Sequence, residues 1–176
     1  MKATGIVRRI DDLGRVVIPK EIRRTMRIRE GDPLEIVTSS EGEVIFKKYS
    51  PMGEMVSFAG DFAAAIASGS KLTIIICDRD HCIAVGNGSK KEFLEKAVST
   101  TLEKICEERK TYVNKDNDTV FALDGVNQTV RVVAPVITGG DIIGCVALLE
   151  KEDADFGDQD VVIAEIAAQF LSSRSE

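Results

Sequence analysis

The sequence predicts an α+β protein with two domains: a β-rich N-terminal domain over residues 1–50, and a larger domain of antiparallel sheet and helices over residues 51–176. Three observations support this division. Short strand patterns and one short helix pattern fill the first fifty residues, whereas longer helix patterns follow. Ser50-Pro51 is a helix-start signal, because serine caps helices and proline is tolerated in the first turn. The net charge also changes sign between the two regions.

The charge distribution indicates which end of the chain meets a partner. Residues 1–50 carry eleven Lys and Arg against eight Asp and Glu, a net charge of +3, whereas residues 51–176 carry twelve against twenty-one, a net charge of −9. Within residues 1–29 the nine basic and three acidic residues give +6. A basic end on a chain of overall charge −6 is typical of a protein that meets phosphate groups with that end only.

Composition indicates a globular, cytoplasmic protein. The hydrophobic fraction is 44% and the mean hydropathy −0.01, and we find neither a bilayer-spanning apolar run of about 20 residues nor a signal-peptide pattern. In a reducing compartment we expect the four cysteines to be free, buried thiols: Cys77, Cys82, Cys106 and Cys145.

The N-terminal domain reads as β-β-α-β-β. Residues 3–10 and Arg15–Ile18 have strand patterns, and the turn between them ends in Gly14, which can supply a positive φ. Pro19 ends the second strand, and Lys20–Ile28 reads as a short helix. A hairpin follows, with strands Leu34–Thr38 and Val44–Tyr49 on either side of the Ser39-Ser40-Glu41-Gly42 turn.

This domain is too small to bury a sufficient core by itself. Units of about fifty residues usually need disulfides, a metal or a partner chain. Because residues 1–50 contain no cysteine, we expect a partner chain, and therefore a dimer.

The second domain reads as α-β-β-α-β-β-β-α. The first helix begins at Pro51 and carries an apolar stripe that includes Phe58, Phe62 and Ile66. Ser89 to Glu92 has a capping-box pattern that predicts a helix reaching about Glu108. The strands are expected at Lys71–Cys77, His81–Val85, Thr119–Leu123, Thr129–Ile137 and Ile142–Glu150, with a hairpin turn at Thr138–Asp141, and the last helix at Gln159–Ser172. The first and last helices have apolar stripes that copies of the same helices in a second chain could cover.

Residues 8–24, RRIDDLGRVVIPKEIRR, and residues 31–36, GDPLEI, closely resemble the AbrB family of transition-state regulators. The resemblance implies a swapped-hairpin dimer, in which strands of two chains form one small β-barrel that binds double-stranded DNA. It places DNA contacts on Arg8, Arg15, Arg23 and Arg24. Residue chemistry nominates the same cluster plus Arg9, Lys20 and Arg27, because guanidinium and ammonium groups neutralise phosphate.

The alternative for these cations is a solvated surface without a partner. In that case the arginines pair with nearby carboxylates, and Asp11 or Asp12 orients Arg8 or Arg15. The acidic candidates are Asp11, Asp12, Glu21, Glu30 and Glu35.

The rest of the chain resembles a GAF domain through the hairpin of residues 133–136 (VAPV), 140–144 (GDIIG) and 146–148 (VAL). Many GAF domains hold a small ligand, and the resemblance places Asn87, Ser89 and Arg131 near a pocket mouth. The cyclic-nucleotide signature of some GAF domains is incomplete, because Asp124 follows Phe121 after only two residues and Gly125 replaces the second acid. The ligand is therefore unknown.

The order of the two domains resembles a family of sporulation regulators from endospore-forming bacteria. It implies activation and repression of sporulation genes in the forespore and a tetramer joined by swapped heads and bundled helices. The alternative is an antitoxin that binds a toxin and its own promoter, since similar heads occur in such proteins. We find no nucleophile elbow, phosphate-binding loop or metalloprotease helix, so neither an enzyme nor a cofactor is expected. Cys77, His81 and Cys82 lack a fourth ligand for zinc.

Overall fold

A computed structural model describes residues 5–116, 118–151 and 155–175. The chain divides into two compact units, residues 1–49 and residues 50–176, which we call the head and the body. The head contains helix α1 (Lys20–Thr25) and a hairpin of strands β1 (Leu34–Thr38) and β2 (Val44–Lys48). In this antiparallel pair Leu34 lies opposite Lys48 and Thr38 opposite Val44.

The expectation of a helix reaching Ile28 was wrong, because α1 ends at Thr25. Arg27 has a φ of 50°, in the left-handed region that terminates helices. The amide of Ile28 then donates to the carbonyl of Arg23 at 2.8 Å, which closes the last turn. Lys48 Nζ donates to the carbonyl of Arg27 at 3.0 Å and ties this helix end to β2.

The first turn of the head is closed as its sequence predicts. The amide of Asp11 donates to the carbonyl of Arg15 at 3.0 Å, the amide of Gly14 donates to the carbonyl of Asp11 at 3.1 Å, and Gly14 has a φ of 76°. The two flanks of this turn were expected to be strands, but residues 5–10 and 16–18 join neither described sheet. Residues 3 and 4 of the first expected strand lie outside the described residues.

The body is a five-stranded antiparallel sheet with helices on both faces. Its strand order is β4-β3-β7-β6-β5, and every neighbouring pair is antiparallel. The strands are β3 (Thr73–Asp78), β4 (Cys82–Gly86), β5 (Tyr112–Val113), β6 (Val130–Thr138) and β7 (Asp141–Leu149). The helices are α2 (Pro51–Glu54), α3 (Val56–Ala67), α4 (Lys90–Phe93), α5 (Thr100–Glu107) and α6 (Asp158–Arg174). As the sequence predicts, Ser50 caps α2, its hydroxyl accepting from the amide of Gly53 at 3.0 Å.

The single helix expected from Ser89 to Glu108 is in fact two helices, α4 and α5. Between them the backbone pairs with the edge of β4: the amide of Glu95 donates to the carbonyl of Cys82, and the amide of Cys82 donates to the carbonyl of Lys96, each at 2.9 Å. These bonds satisfy edge groups that a continuous helix would leave unpaired. Ser99 then caps α5, its hydroxyl accepting from the amide of Leu102 at 3.0 Å.

Two further differences concern the strands. The strand expected over Thr119–Leu123 is reduced to isolated bridges, in which Phe121 faces Thr129 and Leu123 faces Val98. The two-residue strand β5 was not predicted, because its pattern is too short to distinguish from a loop.

Each face of the sheet has its own core, because successive strand residues point to opposite faces. Ile74 and Ile76 of β3 pack on the side of α3 and α6, whereas Ile75 and Cys77 pack on the side of α5. All four cysteines belong to the core on the α5 side, where they are free and buried, as expected. In the described ranges no helix is both long and apolar enough to cross a membrane.

Helix α3 packs closely on β4 because its inner side consists of small residues. Ala59, Ala63 and Ala67 are buried there, and a methyl group added at Gly86 would overlap the carbonyl oxygen of Ala63 and lie 2.8 Å from Cβ of Ala67. This contact makes Gly86 a position that only glycine fits.

We therefore expect Gly86→Ala to lower the free energy of unfolding by about 1–3 kcal/mol, the usual cost of overpacking a core. Chemical denaturation measures the change. The control is Gly69→Ala, whose methyl group would meet its nearest neighbours at an ordinary 3.5 Å. Equal stability of the two variants would contradict the packing described here.

Candidate nucleic-acid interface

The seven basic residues nominated for DNA contact are all exposed; six of them lie in two groups on the head, and the seventh, Arg27, follows α1. Arg8, Arg9 and Arg15 lie before and at the end of the first turn. The second group is on α1, where Lys20 begins the helix and Arg23 and Arg24 form its last turn. On a helix, residues three and four apart are neighbours, so Lys20 shares a face with Arg23 and Arg24.

Only one of these six cations is paired with a carboxylate in the ranges that the structure describes. Arg15 Nε lies 2.7 Å from Asp11 Oδ2, and 69% of the Arg15 side chain remains exposed. Hydrogen bonds from the backbone amide and then the side chain of Arg15 lower the pKa of Asp11, so this carboxylate stays ionised. Arg8, Arg9, Lys20, Arg23 and Arg24 form no ion pair there, which leaves their charge available to a phosphate.

The head has almost no interior within one chain. Pro19 is its only described residue that is buried. Large apolar side chains are instead exposed along the flanks of the first turn, with Val7 at 89%, Ile10 at 71% and Val17 at 72%. Exposed apolar residues at this density are typical of a surface that associates with another molecule.

The three residues nominated for a ligand in the body do not lie together. Asn87 follows β4 and Arg131 lies on β6, three strand spacings of about 4.8 Å apart, or roughly 14 Å. The Asn87 amide nitrogen donates to the carbonyls of Ala67 at 2.9 Å, Ser70 at 2.7 Å and Leu72 at 3.3 Å. These bonds give Asn87 a structural role at the end of α3. Ser89 is exposed and makes no side-chain capping bond to α4.

Arg131 is a nominated residue that lies in a groove. It pairs with Glu150 and borders a depression of about 700 Å³ between β6 and the start of α6. The sequence reasoning missed the other groove residues, since nothing in their pattern joins segments so distant along the chain: Val113, Asn114, Lys115, Phe156, Asp158, Val161 and Val162.

Cys77, His81 and Cys82 do not form a metal site. Among the residues that the structure places, no group of three or more His, Cys, Asp and Glu is arranged to hold a metal ion. His81 is exposed, whereas Cys77 and Cys82 face each other across the β3–β4 pair in the core. Hydrogen bonding with Cys145, together with burial, raises the pKa of Cys77 and of Cys106, so both thiols stay protonated.

Comparison with known proteins separates the same two regions. The family described as "Stage V sporulation protein T C-terminal, transcription factor" matches residues 54–176, and the family described as "Antidote-toxin recognition MazE, bacterial antitoxin" matches residues 7–53. The chain is 48% identical to the stage V sporulation protein T of Bacillus subtilis (strain 168), over all of this chain and 99% of that protein.

Two further similarities concern one region each. The transition state regulatory protein AbrB of the same organism is 61% identical over 51 residues, which cover 29% of this chain and 52% of that protein. Among solved structures, the GAF domain of an Acinetobacter phosphoenolpyruvate-protein phosphotransferase matches with a TM-score of 0.55 and 11% identity, over 69% of this chain and 81% of that one. The latter likeness shows the fold of the body: it is GAF-like.

The structural role of Asn87 is testable because its φ of 57° is also unusual for a residue with a side chain. We expect Asn87→Ala to lower the free energy of unfolding by about 2–4 kcal/mol, from lost hydrogen bonds to buried carbonyls and from left-handed strain. Thermal denaturation monitored by circular dichroism measures the loss. Ser89→Ala is the control, and a loss as large there would show that the Asn87 bonds are not responsible.

Proposed function

The chain belongs to the stage V sporulation protein T family of transcription factors, and from this we propose that Arg8, Arg9, Arg15, Lys20, Arg23 and Arg24 of its AbrB-type head bind the phosphates of double-stranded DNA. The observation that carries the proposal is that five of these six cations have no carboxylate partner in the described part of the chain, while the sixth keeps most of its side chain exposed. Phosphate neutralisation supplies most of the affinity of such proteins, and arginine suits it because its planar fork matches two phosphate oxygens.

The binding unit in this proposal is a swapped-hairpin dimer of heads. The flanks of the first turn expose apolar side chains and lack strand partners, so pairing them with a second chain satisfies their backbone groups and covers Val7 and Val17 together. Each of the six cations then occurs twice on the DNA-binding surface of the dimer. Affinity for duplex DNA and dimerisation are therefore coupled.

A second association surface is proposed on α3 and α6 of the body. Phe58, Phe62 and Phe170 form an aromatic cluster with ring centroids 5.0–5.9 Å apart, and Arg174 lies over the Phe58 ring at 4.9 Å. Beside this cluster Val162 and Ile166 are exposed. Pairing of these helices with their copies in another dimer buries this stripe and gives a tetramer.

We infer the regulatory role from membership of the stage V sporulation protein T family. We place the protein on the nucleoid of the forespore cytoplasm, where it activates some sporulation genes and represses others without catalysing a reaction. An unidentified small molecule that binds the body would contact Arg131, a nominated ligand residue that borders a groove. A thermal-shift screen of metabolites tests this, since a ligand raises the melting temperature of the folded state that binds it.

The antitoxin alternative has one observation in its favour, the match of residues 7–53 to an antitoxin family. It leaves the whole body without a role. In contrast, residues 54–176 match the transcription-factor family. Purification of the native protein with a stoichiometric toxin would favour the alternative.

The DNA contacts are tested by Arg23→Ala in the full-length protein. We expect at least about tenfold weaker binding to duplex DNA, and a plot of log affinity against log salt that is shallower by about 2, since each phosphate contact contributes about 0.9 and a dimer loses two. Fluorescence anisotropy at several salt concentrations measures both. Lys91→Ala, which removes an exposed cation of the body, is the control. An unchanged slope for Arg23→Ala would remove this residue from the interface.

The association surface of the body is tested by Ile166→Glu. A buried, unpaired charge is costly, so we expect the tetramer to dissociate into dimers while the secondary structure is retained. Sedimentation velocity gives the mass of each species. Thr101→Glu places the same charge at an exposed position of α5 and should leave the mass unchanged. Equal masses for both variants would exclude the α6 stripe from the assembly.

A further inference from the structure

Asp11 makes more side-chain hydrogen bonds than its exposed position in a turn would suggest. Its Oδ1 accepts from the amide of Leu13 at 3.0 Å and from the amide of Arg15 at 2.8 Å, and its Oδ2 accepts from Arg15 Nε at 2.7 Å. One carboxylate thus holds both the backbone of the turn and the guanidinium of Arg15 at the end of that turn.

The Arg15 atom used in this pair determines what remains for a ligand. The contact is made through Nε, on one edge of the planar guanidinium. Both Nη groups, with four N–H donors, lie on the other edges of the plane, where they can bind two oxygens of one phosphate. A pair formed through the Nη groups would instead have occupied that fork.

We propose that Asp11 is a positioning residue for DNA binding: it fixes the Arg15 side chain so that its Nη fork is presented to a phosphate before DNA arrives. This rests on the proposed function, in which Arg15 contacts DNA. The gain in DNA affinity is entropic, because a long side chain that is already ordered loses less conformational freedom on binding.

The proposal predicts the opposite sign from simple charge counting. A carboxylate beside a DNA phosphate is repulsive, so its removal should tighten binding if charge alone mattered. If Asp11 positions Arg15, its removal should weaken binding. Asp12 is the matched control, because it is the adjacent exposed carboxylate and makes no hydrogen bond or ion pair in the described part of the chain.

The second turn of the head shows which substitution keeps the backbone intact. Ser39 occupies the position that corresponds to Asp11: its amide donates to the carbonyl of Glu43 at 3.1 Å, the amide of Gly42 donates to its carbonyl at 3.2 Å, and its hydroxyl accepts from the amide of Glu43 at 3.2 Å. Asp11→Ser should therefore preserve the first turn while it releases the guanidinium. Asp11→Asn is a second variant, which keeps one oxygen for the turn and removes the charge.

The experiment measures the affinity of full-length protein for one duplex, selected by the unmodified protein from a random pool, at several salt concentrations. We expect Asp11→Ser and Asp11→Asn to bind at least about fivefold more weakly, the lower end of the cost of ordering one long side chain in each of two subunits. Their salt dependence should stay close to that of the unmodified protein, because Arg15 still reaches the phosphate. Asp12→Asn should bind equally or more tightly. In an Arg15→Ala background, Asp11→Ser should cause no further loss.

The outcomes distinguish this proposal from the proposed DNA contact of Arg15, on which it rests. If Arg15→Ala binds as well as the unmodified protein, the DNA role of Arg15 fails and its positioning by Asp11 fails with it. If Arg15→Ala is weakened but Asp11→Ser binds as tightly as Asp12→Asn, only the positioning role is overturned. A purely structural role for Asp11 would lower the melting temperature and would weaken binding equally in the Arg15→Ala background, which also overturns the proposal.

Discussion

The constraint on which the head depends is that one chain cannot cover its own apolar side chains. Val7, Ile10 and Val17 remain exposed, and Pro19 is the only buried residue among those of the head that the structure describes. Burial contributes about 25 cal/mol for each Å² of apolar surface, so covering such flanks strongly favours association. In the proposed dimer the same event that completes the fold also doubles the set of cations facing DNA, and a monomeric head would lack both.

The two turns of the head show how one local backbone design can serve two purposes. The turns at Asp11–Arg15 and Ser39–Glu43 have the same pattern of backbone hydrogen bonds, and each has a glycine with positive φ at its fourth position, Gly14 or Gly42. Both turns contain two carboxylates, Asp11 and Asp12 in the first and Glu41 and Glu43 in the second, but only the first includes a cation, Arg15. The backbone sets the shape of each turn, and this cation distinguishes the first turn as the proposed phosphate contact.

Features that rest on local chemistry could be predicted from the sequence, and those that rest on tertiary pairing could not. The positive φ of Gly14 and the cap at Ser50 need only neighbouring residues. The break between α4 and α5 was missed because it depends on the free edge of β4, more than ten residues away. Similarly, a nearby acid for Arg15 was foreseen, but the choice of Asp11 over Asp12 depends on how the turn closes.

For the body, the question is how a small molecule bound in the groove could affect the proposed association surface. The core on the α5 side is filled by buried side chains, including Phe93, Leu102 and Leu123, whereas the Arg131 groove is open and is bordered by Val161 and Val162 of α6. The same helix carries Ile166 and Phe170 of the proposed association stripe. A ligand in the groove and a second copy of the chain would therefore bind one shared element. Because linkage is reciprocal, any factor by which the ligand changes the association of α6 is also the factor by which association changes the affinity for the ligand.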